Sequence, residues 1–306
     1  MIINKCRTRV ALVVVAALVA VTIAGISGCG GGQKRSGGLK VATSIEPLAD
    51  FCKNVGGERV EVELLVPPRA SPHTFEPTTE QMKFLSDASV FVYNGLDLET
   101  WITDIVKKVD NKQLVEVEAA DRIPRSDLIE AAGGVYDPHV WLDPNLAMYE
   151  VEAIRDGLIK ADPGNEDSYK KNAEAYIEEL KGLNDYVKGE TSAFTKKIFV
   201  SFHPAFTYFA HRYGLEQVGV IEELPGKEPG AGEIAKLVDD IKRQGVQVIF
   251  TEPQFSPRAA EAIAAESGVE VVLKSLDPLG SPDNPETATY IMLIKHDVGV
   301  MAEAMK

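Results

Sequence analysis

Cysteine is scarce in this sequence. Of 306 residues only Cys6, Cys29 and Cys52 carry thiols, and the first two fall within the first thirty positions. If Cys29 is modified and Cys6 is lost with a leader, Cys52 stands alone and no disulfide framework is available. Cys52 follows Phe51 in an apolar stretch and reads as a small buried hydrophobe. Positive charge is also in deficit: 32 Lys and Arg face 46 Asp and Glu, for a net charge of −14. Such a surface repels phosphate backbones, which excludes nucleic acid as a partner. Catalytic signatures are missing as well. There is no His-Glu-x-x-His helix, no Gly-x-Ser-x-Gly turn and no ATP-binding loop. Histidine numbers only five: His73, His139, His203, His211 and His296.

What is present begins with a leader. Lys5, Arg7 and Arg9 precede an apolar run at 10–26, which ends at Ile26-Ser27-Gly28-Cys29. The run is marginal for a membrane span and suits a secretory signal. Small residues directly before a cysteine resemble the lipobox of bacterial lipoproteins. That resemblance implies cleavage after residue 28 and acylation of Cys29, giving an extracytoplasmic protein anchored to an envelope membrane by lipid. A plain signal peptide or an uncleaved anchor helix is the alternative. Loss of residues 1–28 would take the net charge to −17. Residues 29–38 then form a Gly-rich tether, with a reach of roughly 15–18 Å.

From residue 39 the pattern alternates. Runs at 39–44, 61–68, 89–95 and 113–117 read as strands, with helical stretches between them such as 46–57 and 78–88. Thr78-Thr79 before Glu80 and Gln81 forms a capped start. A second set of strands falls at 197–203, 217–221, 246–253 and 269–275, separated by helical stretches at 205–214, 232–245, 257–268 and 286–305. Strands alternating with helices imply parallel α/β sheets. Between the sets, Tyr169, Ala173, Tyr176, Ile177, Leu180 and Leu183 trace the apolar stripe of a long helix over about 166–190. The expected organisation is therefore an α/β fold of two lobes, 39–165 and 193–306, each a mostly parallel sheet flanked by helices. One long helix at 166–192 joins them.

Three histidines keep unusual company: His73 in PPRASPHTFEP, His139 in DPHVWLDP and His203 in SFHPAF. Each has a proline beside it. His203 ends a strand and His73 follows one, where ligands of open α/β sheets gather. Imidazole is the usual ligand for zinc and related divalent metals. The three are 66 and 64 residues apart, so spacing alone does not show that they converge.

The segments HTFEP, YNGLDLETW, DPHVWLDP, SFHPAFTYFAHRYG, VIFTEPQFS and LDPLG occur in this order. The chain so resembles the ABC-importer solute-binding proteins that carry zinc, manganese or iron, over about residues 39 to 305. That resemblance implies metal held between two α/β lobes. His73 and His139 match the first two ligands, His203 the third, and Asp277 in SLDPLG the fourth. Manganese- and iron-type members tend to have Glu at the third position, and zinc-type members His. Three imidazoles and a carboxylate also suit tetrahedral Zn²⁺, whereas manganese prefers more oxygen. The resemblance further implies a monomer that delivers its ion to an ABC permease and its ATPase, and no enzyme activity. A manganese- or iron-binding member, a surface adhesin and a zinc metalloenzyme are the other readings. No histidine-rich stretch precedes His139, as it does in many zinc-type members, and Pro72 precedes His73 where some members place an acid. Glu76 and Glu252 are candidate second-sphere acceptors, and His211 and His296 read as surface or packing residues.

Overall fold

The structure, a computed structural model, describes residues 38–306 apart from 132 and 270. The leader at 1–28, Cys29 and the rest of the tether to residue 37 lie outside the described residues. Among those described, no helix is long and apolar enough to cross a membrane.

The first half contains β1 (Leu39–Thr43), α1 (Glu46–Gly56), β2 (Val60–Leu64), α2 (Thr79–Asp87), β3 (Val90–Tyr93), α3 (Ile102–Lys108), β4 (Val115–Glu118) and α4 (Pro144–Ala161). The long α5 follows (Glu166–Ser192). The second half contains β5 (Ile198–Ser201), α6 (Thr207–Tyr213), β6 (Glu216–Val220), α7 (Ala231–Gln244), β7 (Ile249–Thr251), α8 (Arg258–Ser267), β8 (Val271–Ser275) and α9 (Tyr290–Met305). All strand pairings are parallel, and the sheet orders are β2-β1-β3-β4 and β6-β5-β7-β8. The two sheets thus repeat one topology although the sequence shows no repeat. In each, the strand order reverses between the two central strands, and a crevice opens there beyond their carboxyl ends.

Local chemistry explains the helix starts. Thr78 caps α2 in a reciprocal capping box with Gln81, as its sequence anticipates. The α4 helix is not among the sequence expectations. Its start, Asp143-Pro144, is an N-cap followed by a first-turn proline, and Asp143 accepts from the Asn145 amide. The final helix begins at Tyr290, later than the composition of 286–305 suggests, because Thr289 caps it.

α5 is 27 residues long, about 40 Å at the standard rise. It buries Tyr169, Ala173, Tyr176, Leu180, Leu183 and Val187, which extends the expected stripe; Ile177 is half-buried. The main core cluster runs through both halves. It contains Phe51 of α1, Tyr176 of α5, Phe199 of β5 and Tyr290 of α9. Phe51 meets Tyr290 edge-on at 4.8 Å between ring centres and lies 6.0 Å from Tyr176. Cys52 is fully buried in the same cluster, and burial pushes its thiol pKa far up, which leaves it an inert hydrophobe.

Candidate metal centre

His73 sits on the segment that leaves β2. Pro67, Pro68 and Pro72 stiffen this stretch, and the Trp101 indole donates to the Pro72 carbonyl at 2.9 Å. Phe75 packs edge-on against the same indole at 5.4 Å. The result aims His73 at His139, with their Nε2 atoms 3.2 Å apart. Burial, then the His139 and His203 rings, lower the His73 pKa to about 2. Its lone pair is therefore available to a cation across the physiological range.

His139 is fixed by its own neighbours in sequence. Asp137 Oδ1 accepts the His139 backbone amide at 2.9 Å and lies 2.8 Å from its Nδ1. A carboxylate only accepts, so Nδ1 carries the proton and Nε2 presents its lone pair. One residue away, the Asn94 amide donates to the Pro138 carbonyl at 2.9 Å. Asn94 opens a turn in which Gly95, Leu96 and Asp97 have φ of 87°, 52° and 60°. Left-handed backbone at Leu96 and Asp97 is unfavourable. Glu99 offsets it by accepting from the amides of Asn94 and Gly95.

His203 follows β5, and Glu252 follows β7, at the crevice of the second sheet. Glu252 Oε1 accepts the His203 amide at 3.0 Å. Its Oε2 lies 2.6 Å from His203 Nδ1. The Ser201 hydroxyl donates to the His203 carbonyl at 2.7 Å. Two imidazoles thus each have a buried carboxylate beside Nδ1, and each offers a ring nitrogen to a common centre.

The rings close on one another. Centre-to-centre distances are 5.3 Å for His73–His139, 6.0 Å for His73–His203 and 5.1 Å for His139–His203. One ligand nitrogen from each lies within 4.8 Å of the others. Tetrahedral zinc with bonds of 2.0–2.1 Å needs nitrogens about 3.3 Å apart, and the His73–His139 separation already matches. Trp141, Phe255, Pro278 and Leu279 wall the space, whose volume is about 10 Å³. That holds one small ion or water.

Asp277 is not in the cluster of converging ligand atoms among the described residues. It follows β8, as the sequence places it, and its next two residues line the metal cavity. Its Oδ1 accepts from Gln254 Nε2 and from the amides of Leu279 and Gly280. Gly280 has φ of 75°, and a Cβ there would meet the Thr287 carbonyl at 2.8 Å, so the turn requires glycine. No hydrogen bond reaches Oδ2 among the described residues. Glu76 is exposed, and among the described residues no hydrogen bond joins it to His73. His211 is exposed, and half-buried His296 lies 3.7 Å from Glu286; neither enters the cluster. Asp137, Asn94 and Trp141 are functional neighbours that the sequence reading does not single out. The signal for Asp137 was its place two residues before His139.

Residues 41–304 match the protein family described as zinc-uptake complex component A, periplasmic. The chain is 32% identical over 291 residues to the high-affinity zinc uptake system protein ZnuA of Bacillus subtilis, covering 90% of each. It is also 32% identical over 286 residues to the manganese-binding lipoprotein MntA of Halalkalibacterium halodurans, covering 91% of this chain and 94% of that one. Among solved structures it superposes on the periplasmic zinc-binding protein TroA of Treponema pallidum. The TM-score is 0.80 at 26% identity, with 88% of this chain and 99% of the other covered.

Proposed function

The chain belongs to the family of zinc-uptake complex component A, and from that membership and the three converging imidazoles we propose that it captures Zn²⁺ outside the cytoplasm for import. The observation that carries the choice of metal is the donor set. His73, His139 and His203 offer three nitrogens within 4.8 Å of one another. Imidazole donors favour zinc over manganese, which seeks more oxygen and higher coordination. The manganese-binding relative is as similar as the zinc one, so overall identity does not decide between metals and the donors must.

Asp277 is the proposed fourth ligand. Its Oδ1 is held by three donors, which leaves Oδ2 to turn into the cavity that Pro278 and Leu279 already line. With Asp277, Asp137 and Glu252 around it, a dication would be more than neutralised, in keeping with tight capture. Relatives described as periplasmic or as lipoproteins support an extracytoplasmic location. Acylation of Cys29, a monomeric carrier and hand-over to an ABC permease driven by a separate ATPase complete the proposal.

Competition of the metal-stripped protein against a chromophoric chelator tests it. One site per chain is expected, with zinc bound at least about 10²-fold more tightly than manganese. Asp277→Ala should cost about 10²-fold in zinc affinity, the share of one donor in four. Equal affinity for the two metals would sink the zinc assignment, and an indifferent Asp277→Ala would leave water as the fourth ligand.

A further inference from the structure

The metal cavity lies between ligands from both halves, yet the halves are not equally free to move around it. The segment Asp137–Asp143 belongs to the first half and carries His139. Second-half residues hold it at four places. The Tyr208 hydroxyl donates to the Asp137 carbonyl at 2.8 Å. The Trp141 indole donates to the Pro278 carbonyl at 2.7 Å. The Tyr290 hydroxyl donates to the Trp141 carbonyl at 2.6 Å. Arg212 Nε meets Asp143 Oδ2 at 2.6 Å. Tyr208, Trp141, Asp143 and Tyr290 are all at most 2% exposed. A hydrogen bond sealed from water is costly to leave unmade, so the contacts of Tyr208, Trp141 and Tyr290 resist separation; the Arg212 side chain is 41% exposed and holds less firmly.

Two of the four holding residues, Tyr208 and Arg212, lie on α6, which begins four residues after His203. One short stretch of chain, 203–212, therefore presents the third imidazole and also grips the segment of the second. The Tyr208 hydroxyl does more than donate. It accepts the Ile129 amide at 3.1 Å, and Ile129 in turn accepts the Asp137 amide at 2.9 Å. That closes a small ring around Asp137, the residue that orients His139 through Nδ1. The His73 segment has no such hold. Among the described residues, no hydrogen bond joins residues 66–77 to the second half, and the Trp101 indole, itself in the first half, is the side-chain donor to that segment.

We infer that Tyr208 is a positioning residue for the metal site: it fixes Asp137 and through it His139, so that His139 and His203 form one preorganised pair and His73 is the arm that closes on the captured ion. This rests on the metal-capture reading. Preorganising two ligands removes their ordering cost from the binding step. Leaving one ligand on a loosely held segment gives the ion a way in and out of the cavity.

The test uses the full-length protein and Zn²⁺ alone. Tyr208→Phe deletes the hydroxyl and keeps the ring; its zinc affinity should fall about tenfold, as for other residues that orient a ligand. Tyr169→Phe is the control. It removes a comparable hydroxyl bond, to Asp162 at 2.8 Å, far from the site, and should lower stability without changing zinc affinity. In the unsubstituted protein, hydrogen exchange should show amides in 67–76 gaining protection on zinc addition while those in 137–143 are equally protected with and without it. Zinc binding in which Tyr208→Phe keeps full affinity, or in which 137–143 gains protection as much as 67–76, would overturn the inference alone. If the unsubstituted protein binds no zinc, the metal-capture reading falls and this inference with it. Should Tyr208→Phe fail to fold, the exchange experiment still decides.

Discussion

Replacing His203 by alanine is expected to weaken zinc binding by about 10²–10³-fold. Binding free energies for four-donor zinc sites run to about 10–16 kcal/mol. One donor of four therefore accounts for roughly 2.5–4 kcal/mol, and each 1.4 kcal/mol is a factor of ten. The loss is specific to this position because the structure supplies no replacement. Glu252 is already engaged with the His203 backbone amide, and His211 is exposed and outside the ligand cluster. The chelator competition described above measures the loss. A His203→Ala protein that retained the affinity of the unsubstituted chain would show that this imidazole holds no metal.

Phe51→Ala is expected to destabilise the whole chain by about 3–5 kcal/mol, the usual cost of deleting a large aromatic from a core. The more telling expectation concerns where the loss is felt. Phe51 is 0% exposed and belongs to a cluster that also holds Tyr176, Phe199, Tyr290 and Met301. Contacts of this kind make α1, α5, β5 and α9 parts of one cooperative unit. Denaturant melts should show a single transition, with amides in β1 and β5 losing protection to the same extent. Loss confined to the first sheet would mean that the two halves fold independently.

Much of this architecture was legible in the sequence, for reasons that can be named. Val-rich runs bounded by turn residues mark all eight strands, because buried parallel strands read as continuous apolar stretches. The stripe on α5 keeps its period over a long span. α4 escaped because it starts inside a motif whose Asp-Pro pair reads as a loop; only the cap geometry shows that Asp143 and Pro144 begin a helix. The shared strand order of the two sheets was invisible, since topology can repeat without sequence doing so.

The site was legible in part. Proline-flanked histidines at strand ends mark candidate ligands, and the resemblance to metal carriers implies His73, His139, His203 and Asp277; the structure brings the three histidines together and leaves Asp277 outside their cluster. Their meeting depends on contacts between residues far apart in the chain, which no local pattern encodes. The place of Glu252 at a strand end marks it as a candidate acceptor, and the structure sets it behind His203. Asp137 lay in plain view beside His139, yet its role depends on a side chain folding back two residues. Tyr208 gave no local signal at all, because its partners Ile129 and Asp137 are 79 and 71 residues away.

The measurement that bears most directly on the central claim is a crystal structure of the zinc-loaded protein with anomalous data at the zinc edge. One strong peak is expected in the cavity walled by Trp141 and Phe255, about 2.0–2.1 Å from a ring nitrogen of His73, His139 and His203. A peak held instead by surface carboxylates, with the three imidazoles left bare, would contradict it.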